Sequence, residues 1–173
     1  MRWSKLRKLV TERFAPSLRD RLDIHSAAYG ACTCGHAWLT YDGEVIANFC
    51  TRAYWVAQGR ETGAPAPNPM YRRQLTAFGE LSRQDAYQSC WSFVHELAIE
   101  DALAHDDVLV RALAVADERV GQRRLARIDT QDEAPLVAAV LALRREPGVA
   151  TLDALLAGNP LILTRHGEVA TAG

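Results

Sequence analysis

The sequence predicts an α+β protein, in which an N-terminal helix packs on a small three-stranded antiparallel sheet and a helical half follows. Three observations support this fold class. Residues 36–50 alternate around an Asp-Gly pair, residues 56–79 are rich in proline and glycine, and apolar residues recur at helical spacing after residue 80. We therefore expect an N-terminal unit over residues 1–55, a connecting loop over 56–79, and a helical unit over 80–173 organised as a bundle or in a HEAT-like manner.

The first helix is predicted from Ser4 to about Phe14. Serine is a preferred N-cap residue, and Pro16 is expected to end the helix because proline disfavours helical geometry in the residue before it. The apolar stripe of this helix consists of Leu6, Leu9, Val10 and Phe14. Its opposite face is basic. The stripe should pack on the sheet, since an isolated hairpin is marginal in water.

The sheet is predicted from a hairpin with strands at residues 36–41 and 44–50. Asp42-Gly43 suits the two-residue turn between them, because both positions of that turn take positive φ. An uninterrupted register gives the pairs Tyr41–Glu44, Thr40–Val45, Leu39–Ile46, Trp38–Ala47, Ala37–Asn48 and His36–Phe49. Residues 22–26 supply the third strand, with Leu22 and Ile24 facing inward.

Capping signals predict the helices of the second half. Ser82 with Asp85 and Thr130 with Glu133 are spaced as capping boxes, and Asp106 or Asp107 can begin a helix between them. The side chains expected to face the core are Tyr87, Trp91, Val94, Leu97, Leu109, Leu113, Val120, Leu136, Val137, Val140 and Leu141. Pro147-Gly148 should end the last long helix. A short helix at 151–157 and a short strand at 161–164 are predicted beyond it.

The charge of the chain is balanced overall but segregated locally. Twenty basic and 21 acidic residues give a net charge of −1, which predicts no general affinity for polyanions. Residues 1–21 carry seven basic and two acidic residues, whereas residues 84–107 carry six acidic residues and no Lys or Arg. Such segregation indicates either two faces that meet each other or two surfaces for different partners.

The apolar segments predict a cytoplasmic protein. The basic N-terminus is not followed by the apolar core of a secretion signal, and the longest apolar run, residues 135–143, is shorter than a membrane span. We therefore expect no membrane association. The four cysteines are expected to be reduced thiols in this compartment.

Cys32, Cys34, His36 and Cys50 are the candidate ligands of a zinc site, because thiolates and imidazoles are the preferred ligands of structural zinc. The Cys-x-Cys spacing is shorter than that of a zinc knuckle. The uninterrupted register also places Cys50 on the face opposite to the other three, so that only a bulge could gather them. We expect no metal, no other cofactor, and free thiols at these positions.

Two clusters are candidates for other sites. Arg119, Arg123 and Arg127 would align along a continuous helix with Arg124 beside them, which suits either surface ion pairs or contact with an anionic partner. His25, Tyr29, His36 and Arg52 can converge at one end of the sheet, and they are the candidate catalytic residues. No serine or cysteine nucleophile motif accompanies them.

Three segments resemble a family of conserved bacterial proteins without a known activity. These are Trp3-Ser4-Lys5-Leu6 at the start, Ala47-Asn48-Phe49-Cys50-Thr51 at the end of the hairpin, and the run from Arg119 to Leu125. The resemblance spans residues 1–145. It implies a bacterial cytosolic protein and transfers no site residue.

Three hypotheses for function follow. The first is a non-enzymatic module that binds another protein through its segregated charge. The second is nucleic-acid binding through the basic first helix and the arginines at 119–127, which the net charge disfavours. The third is an enzyme whose site lies at the sheet end that carries His25, Tyr29, His36 and Arg52.

Overall fold

The computed structural model describes residues 1–29, 34–62 and 74–145 of the 173-residue chain. A helix, a three-stranded antiparallel sheet and a series of helices follow each other in this part of the chain, which confirms the predicted α+β class. In chain order the elements are α1 (Trp3–Thr11), β1 (Leu22–Ala28), β2 (Gly35–Tyr41), β3 (Glu44–Cys50), α2 (Thr51–Ala57), α3 (Arg83–His95), α4 (Ile99–Leu103), α5 (Val108–Ala116), α6 (Gln122–Leu125) and α7 (Pro135–Arg145).

Helix α1 is shorter than predicted and starts earlier. Arg2, not Ser4, occupies the N-cap position, and no side chain caps this end. Beyond Thr11 the chain bonds to the last residue of α5 and to the residues that follow α5. The amide of Ala15 donates to the carbonyl of Ala116 at 2.8 Å, and the amide of Glu118 donates to the carbonyl of Arg13 at 2.8 Å.

The predicted hairpin is confirmed, with Asp42 at φ 50° and Gly43 at φ 82° in the turn between β2 and β3. Its predicted register holds only beside the turn. A bulge at Ile46 shifts the rest by one residue, so that Leu39 pairs with Ala47 and His36 with Cys50. The bulge allows Ile46 and Ala47, which are adjacent, both to be fully buried.

The register gives the sheet two different faces. One face is apolar and belongs to the core, where it contacts α1 and α3. Its buried side chains are Leu22, Ile24, Ala37, Leu39, Tyr41, Ala47 and Phe49. The second face carries rings and polar groups, at Asp23, His25, His36, Trp38, Thr40, Asn48 and Cys50.

Part of the region predicted as a connecting loop is ordered against the sheet. Helix α2 starts directly after β3, which the sequence patterns did not indicate. Residues 74–76 are buried beside β3. The amide of Leu75 donates to the carbonyl of Ile46 at 2.8 Å, and the Thr76 hydroxyl lies 3.4 Å from the carbonyl oxygen of Asn48.

Helix α3 has the predicted capping box but buries a different face. The Ser82 hydroxyl and the Asp85 carboxylate bond reciprocally to each other's backbone amides. The buried residues are Ala86, Ser89, Cys90 and Phe93, whereas the predicted Tyr87, Trp91, Val94 and Leu97 are only partly buried. Three of the four buried side chains are small and permit close contact with α1 and α5, and the rings of Tyr87 and Trp91 are only partly buried.

The later helices agree with the prediction in part. Asp107 caps α5, since its carboxylate accepts from the amides of Leu109 and Val110. Helix α7 starts at Pro135 and not after Thr130, because proline is favoured in the first turn and Asp129 instead holds the amide of Gln131 in a turn. The short helix and strand predicted at 151–157 and 161–164 lie outside the described residues.

Arginine side chains cap the C-terminal ends of helices that are distant in sequence. Arg13 donates to the carbonyls of Phe93 and Val94 at the end of α3, at 2.9 and 2.7 Å. Arg144 is buried and donates to the carbonyl of Val115 at 3.2 Å and to that of Val120 at 2.6 Å, next to the end of α5. The contacts to Phe93, Val94 and Val115 satisfy carbonyls in the last turn of a helix, where the helix itself supplies no donor.

Candidate functional site

A row of four aromatic and imidazole rings lies on the second face of the sheet, and we call it the ring row: His25, Trp38, His36 and Tyr29. The His25 and Trp38 rings stack with centroids 5.2 Å apart and an angle of 18° between planes. The Trp38 and His36 rings stack at 4.5 Å and 27°. Tyr29 continues the row at 5.7 Å and 39° from His36.

The strand register creates this row. His25 is the cross-strand partner of Trp38, and His36 lies two residues before Trp38 on the same strand, so their side chains share one face. His25, Tyr29 and His36 are among the residues predicted for this site, whereas Trp38 is not. The signal was available, because residues 36 and 38 must share a face in any strand that contains both.

The His25 end of the ring row is polar and charged. His25 Nε2 lies 3.0 Å from the Thr40 hydroxyl and 3.6 Å from a carboxylate oxygen of Asp23. Arg7 of α1 bonds to both Asp23 oxygens through Nε, at 2.8 Å, and Nη2. Burial lowers the pKa of His25, although Asp23 opposes the shift. Burial alone would raise the pKa of Asp23, but the bonds from Arg7 and from the Ile24 amide outweigh it and lower that pKa.

The other end of the ring row is a neutral hydrogen-bonded pair. The Tyr29 hydroxyl lies 3.0 Å from His36 Nδ1. Burial lowers the pKa of His36 and raises that of Tyr29, and the Cys50 thiol adds to the Tyr29 shift. Near neutral pH this end therefore presents an uncharged phenol and an uncharged imidazole, groups that can donate, accept or relay a proton.

Arg52, the fourth predicted catalytic residue, is not part of the row. Because α2 starts at Thr51, Arg52 belongs to a helix rather than to the sheet. Its Nε lies 3.1 Å from a carboxylate oxygen of Glu61. The structure thus brings together three of the four candidates.

The structure corrects the argument made against a zinc site. The bulge in β3 makes His36 and Cys50 direct partners on one face, so Cys50 does not point away from His36. Cys34 is in a disulfide bond, which contradicts the expectation of free thiols, whereas Cys50 and Cys90 are free. Cys32 lies outside the described residues. Within those residues, no group of three or more His, Cys, Asp or Glu side chains is arranged to hold a metal.

The arginines at 119–127 do not align along one helix, contrary to the prediction. Helix α6 spans only Gln122–Leu125, and Arg119 precedes it because the buried Asp117 carboxylate accepts both the backbone amide and the guanidinium of Arg119. Arg124 pairs with Glu100 at 3.0 Å. Arg123 and Arg127 are exposed.

Most basic side chains of residues 1–21 form hydrogen bonds or ion pairs with other groups of the protein. Besides the Arg7 and Arg13 contacts, Arg19 pairs with Glu118 at 2.9 Å and Arg21 with Asp42 at 2.6 Å. Neither acidic partner belongs to the acidic segment 84–107. The two segregated regions therefore do not neutralise each other through these ion pairs.

A surface cavity of about 260 Å³ lies between α1 and the start of β1. Its lining is mixed in charge and consists of Ser4, Arg7, Lys8, Thr11, Asp20, Leu22 and Asp23. Asp23 connects this cavity to the ring row. Across the three described ranges, no helix has the length and apolar character needed to cross a membrane.

Comparison with known proteins places the chain by its sequence. No curated protein and no solved structure matches it. The model of one family matches residues 2–145, a range that contains α1, the sheet with its ring row, and the helices through α7. The chain therefore belongs to the SF0329 protein family.

Proposed function

We propose that this chain is a non-enzymatic module that binds another protein through the ring row. The observation that carries the proposal is the continuous contact of four rings, from His25 to Tyr29, on the sheet face opposite the core. Tyrosine and tryptophan are enriched among the residues that dominate binding energy at protein interfaces. A rigid row of such rings loses little conformational entropy when it is covered.

The electrostatics of the ring row support the same proposal. Burial disfavours the charged forms of His25 and His36, so a partner that covers these rings near neutral pH need not bury a new charge. Asp23, the carboxylate beside His25, is already paired with Arg7. The Tyr29 hydroxyl, on the exposed residue at the end of the ring row, can orient a partner by hydrogen bonding.

Site-specific photocrosslinking in the producing cell tests the proposal. We place benzoylphenylalanine at Tyr29, which is 50% exposed at the end of the ring row, and at Phe78, which is 45% exposed and lies outside it. We expect one protein to crosslink from position 29 and not from position 78. The purified pair should then bind, with affinity reduced about 30-fold or more by Tyr29→Ala, the loss typical of a dominant interface residue.

Phe78→Ala is the matched control, because it removes a ring of similar exposure and should leave the affinity unchanged. Circular dichroism of both variants verifies that each is folded. Equal crosslinking from positions 29 and 78, or wild-type affinity in Tyr29→Ala, would show that the ring row is not the binding surface.

A further inference from the structure

The surface cavity between α1 and the start of β1 has two walls that differ in charge. One wall is a single face of α1, because its members are three or four residues apart along the helix: Ser4, Arg7, Lys8 and Thr11. The other wall comes from the chain that leads into β1 and consists of Asp20, Leu22 and Asp23. Two cations and two hydroxyls thus line one wall, and two carboxylates and one apolar side chain line the other.

One cation and one carboxylate of the cavity neutralise each other. Arg7 bonds to both oxygens of Asp23 through Nε, at 2.8 Å, and Nη2. A paired arrangement of this kind satisfies both charges and links the two walls. The charge that a ligand meets in the cavity is therefore set by the remaining two ionic residues, Lys8 and Asp20.

Lys8 is held only weakly by the protein. Its Nζ lies 3.7 Å from a carboxylate oxygen of Glu12, one turn further along α1. The two side chains are 75% and 57% exposed, and an ion pair as exposed as this contributes little to stability. The lysine side chain is also long and flexible. A negative group of a ligand can therefore bind the Lys8 ammonium without breaking a strong contact.

Asp20 is not neutralised by the arginines on either side of it in the chain. Arg19 pairs with Glu118 at 2.9 Å, and Arg21 pairs with Asp42 at 2.6 Å. Asp20 is exposed, and no basic side chain of residues 1–29, 34–62 or 74–145 forms an ion pair with it. This wall therefore offers a carboxylate to a positive group.

Simple ions do not match this arrangement. An inorganic anion at Lys8 would share the cavity with the Asp20 carboxylate. A metal ion needs several oxygen ligands, and Asp23 is already bonded to Arg7. No group of three or more His, Cys, Asp or Glu side chains is arranged to hold a metal in the part of the chain that the structure describes. A molecule with one negative and one positive group satisfies both walls.

We propose that this cavity binds a free α-amino acid, with its carboxylate at Lys8 and its ammonium group at Asp20. The cavity volume of about 260 Å³ suits a ligand of this size, because sites for larger, drug-sized molecules typically measure about 300–1,000 Å³. The hydroxyls of Ser4 and Thr11 can accept from the ammonium or donate to the carboxylate. This small-molecule site goes beyond the proposed interface function, which concerns the ring row.

Saturation-transfer-difference NMR of the full-length protein with each of the common L-amino acids tests the proposal. We expect at least one of them to bind. Its N-acetyl derivative lacks the positive charge, and its carboxamide derivative lacks the negative charge. Each derivative should bind about tenfold more weakly or less, since each loses a hydrogen-bonded charge.

Two variants test the assigned residues. Lys8→Ala and Asp20→Asn should each weaken binding of that amino acid by about tenfold or more. Asparagine is the replacement at position 20 because φ is 68° there, a conformation that Asp and Asn adopt more readily than most residues. Lys5→Ala is the matched control. It removes another exposed lysine of α1 that does not line the cavity, so the affinity should be unchanged.

Three results would overturn the proposal. In the first, none of the amino acids binds. In the second, the amino acid that binds retains wild-type affinity in both Lys8→Ala and Asp20→Asn. In the third, inorganic phosphate binds instead and is lost in Lys8→Ala but not in Asp20→Asn, which would make the cavity an anion site. Tyr29→Ala should not change the affinity for the amino acid, so this test is independent of the proposed protein interface.

Discussion

Arg144 links α7 to the segment after α5 through backbone carbonyls rather than through a carboxylate. Its guanidinium is buried among carbonyl oxygens, and burial lowers its pKa although Asp117 opposes the shift. Arg144→Leu would leave these acceptors without donors, so we expect the free energy of unfolding to fall by about 3 kcal/mol. Urea denaturation measures the change.

Comparing Arg144→Lys with Arg144→Leu separates the contribution of the positive charge to stability from that of the planar guanidinium. Arg144→Lys keeps the charge but loses the planar fork, so it should recover only part of the stability. Arg123→Leu, at an exposed position, should change the unfolding free energy by less than about 0.5 kcal/mol. Equal effects at positions 144 and 123 would contradict the capping role.

The partly buried imidazoles of the ring row predict a pH dependence of stability. Burial lowers the pKa of His25 and His36 in the folded protein, whereas in the unfolded chain both return to about 6.5. The unfolded chain therefore binds more protons just below that pH. The stabilisation is complete above about pH 6.5 and is lost as the pH falls through the lower folded values.

We expect the free energy of unfolding to decrease as the pH falls below about 6.5, the ordinary imidazole pKa that both histidines regain in the unfolded chain. The double variant His25→Gln and His36→Gln should flatten this dependence in urea titrations. Asp23 and Asp42 do not contribute to the slope in this pH range, because their pKa values are lowered from the ordinary acidic range. An unchanged slope in the double variant would assign the effect to other groups.

At the scale of elements, two glycines have positive φ but differ in their surroundings, so replacing each by alanine separates the cost of backbone strain from the cost of a steric clash. Gly43 has φ 82° in the hairpin turn, and a Cβ added there would meet no atom within 4 Å. Gly79 has φ 69°, and there a Cβ would lie 2.5 Å from the Ala57 Cβ and 2.6 Å from the Ala53 carbonyl oxygen of α2.

We expect Gly43→Ala to destabilise the protein by about 1 kcal/mol, from the left-handed conformation alone. Gly79→Ala should cost clearly more, because the added methyl overlaps α2. Thermal unfolding compares the two, with Gly121→Ala as the control, since its φ is −74° and its surroundings are open. Similar losses of stability in Gly43→Ala and Gly79→Ala would mean that α2 shifts to accommodate the added methyl group.

Structural features that depend on residues close together in the chain could be predicted from the sequence. The Asp42-Gly43 turn, the Ser82 and Asp85 box and the Asp107 cap could be predicted because each depends on residues a few positions apart. The bulge was missed, although the three consecutive apolar residues 45–47 break the alternation of β3. Arg13 and Arg144 could not be recognised, since their acceptors lie 80 and 29 residues away and leave no local pattern.

The candidate site was predictable to the same extent. Its strand residues His25 and His36 follow from alternation, and Tyr29 from its place at the end of β1. Arg52 was expected at the end of the sheet but lies in α2, because nothing in the sequence pattern marked the start of that helix at Thr51. The proximity of His36 and Cys50 depends on the bulge and became visible only in the structure.

For the whole molecule, the distribution of charge predicts weak binding to nucleic acid. Arg7, Arg13, Arg19 and Arg21 are engaged with groups of the protein itself, so few cations of the first segment can neutralise phosphates. We expect no dissociation constant tighter than about 10 μM at physiological salt, for a short duplex or a single strand. Fluorescence anisotropy at two salt concentrations measures it.

Submicromolar binding that weakens about tenfold or more when the salt concentration is raised from about 50 to 200 mM would refute this expectation. Loss of such binding in a variant with Lys5, Arg7 and Lys8 changed to Ala would assign it to α1. Because Arg7 also holds Asp23, the single variant Lys5→Ala is the control that leaves this ion pair intact.

The Asp23 carboxylate has a consequence for the association of whole molecules. Backbone groups at odd-numbered positions of β1 point toward β2, as shown by the bonds at Arg21 and Tyr29, so the amide of Ile24 points outward. Asp23 accepts that amide at 2.7 Å, and the amide of Leu22 is bonded to Leu18. An outer strand with free donors is a template for pairing with another chain, and here two of its donors are already occupied. Asp23→Ala should therefore promote self-association, visible as a concentration-dependent mass in light scattering, whereas Asp23→Asn keeps an acceptor oxygen and should remain closer to wild type.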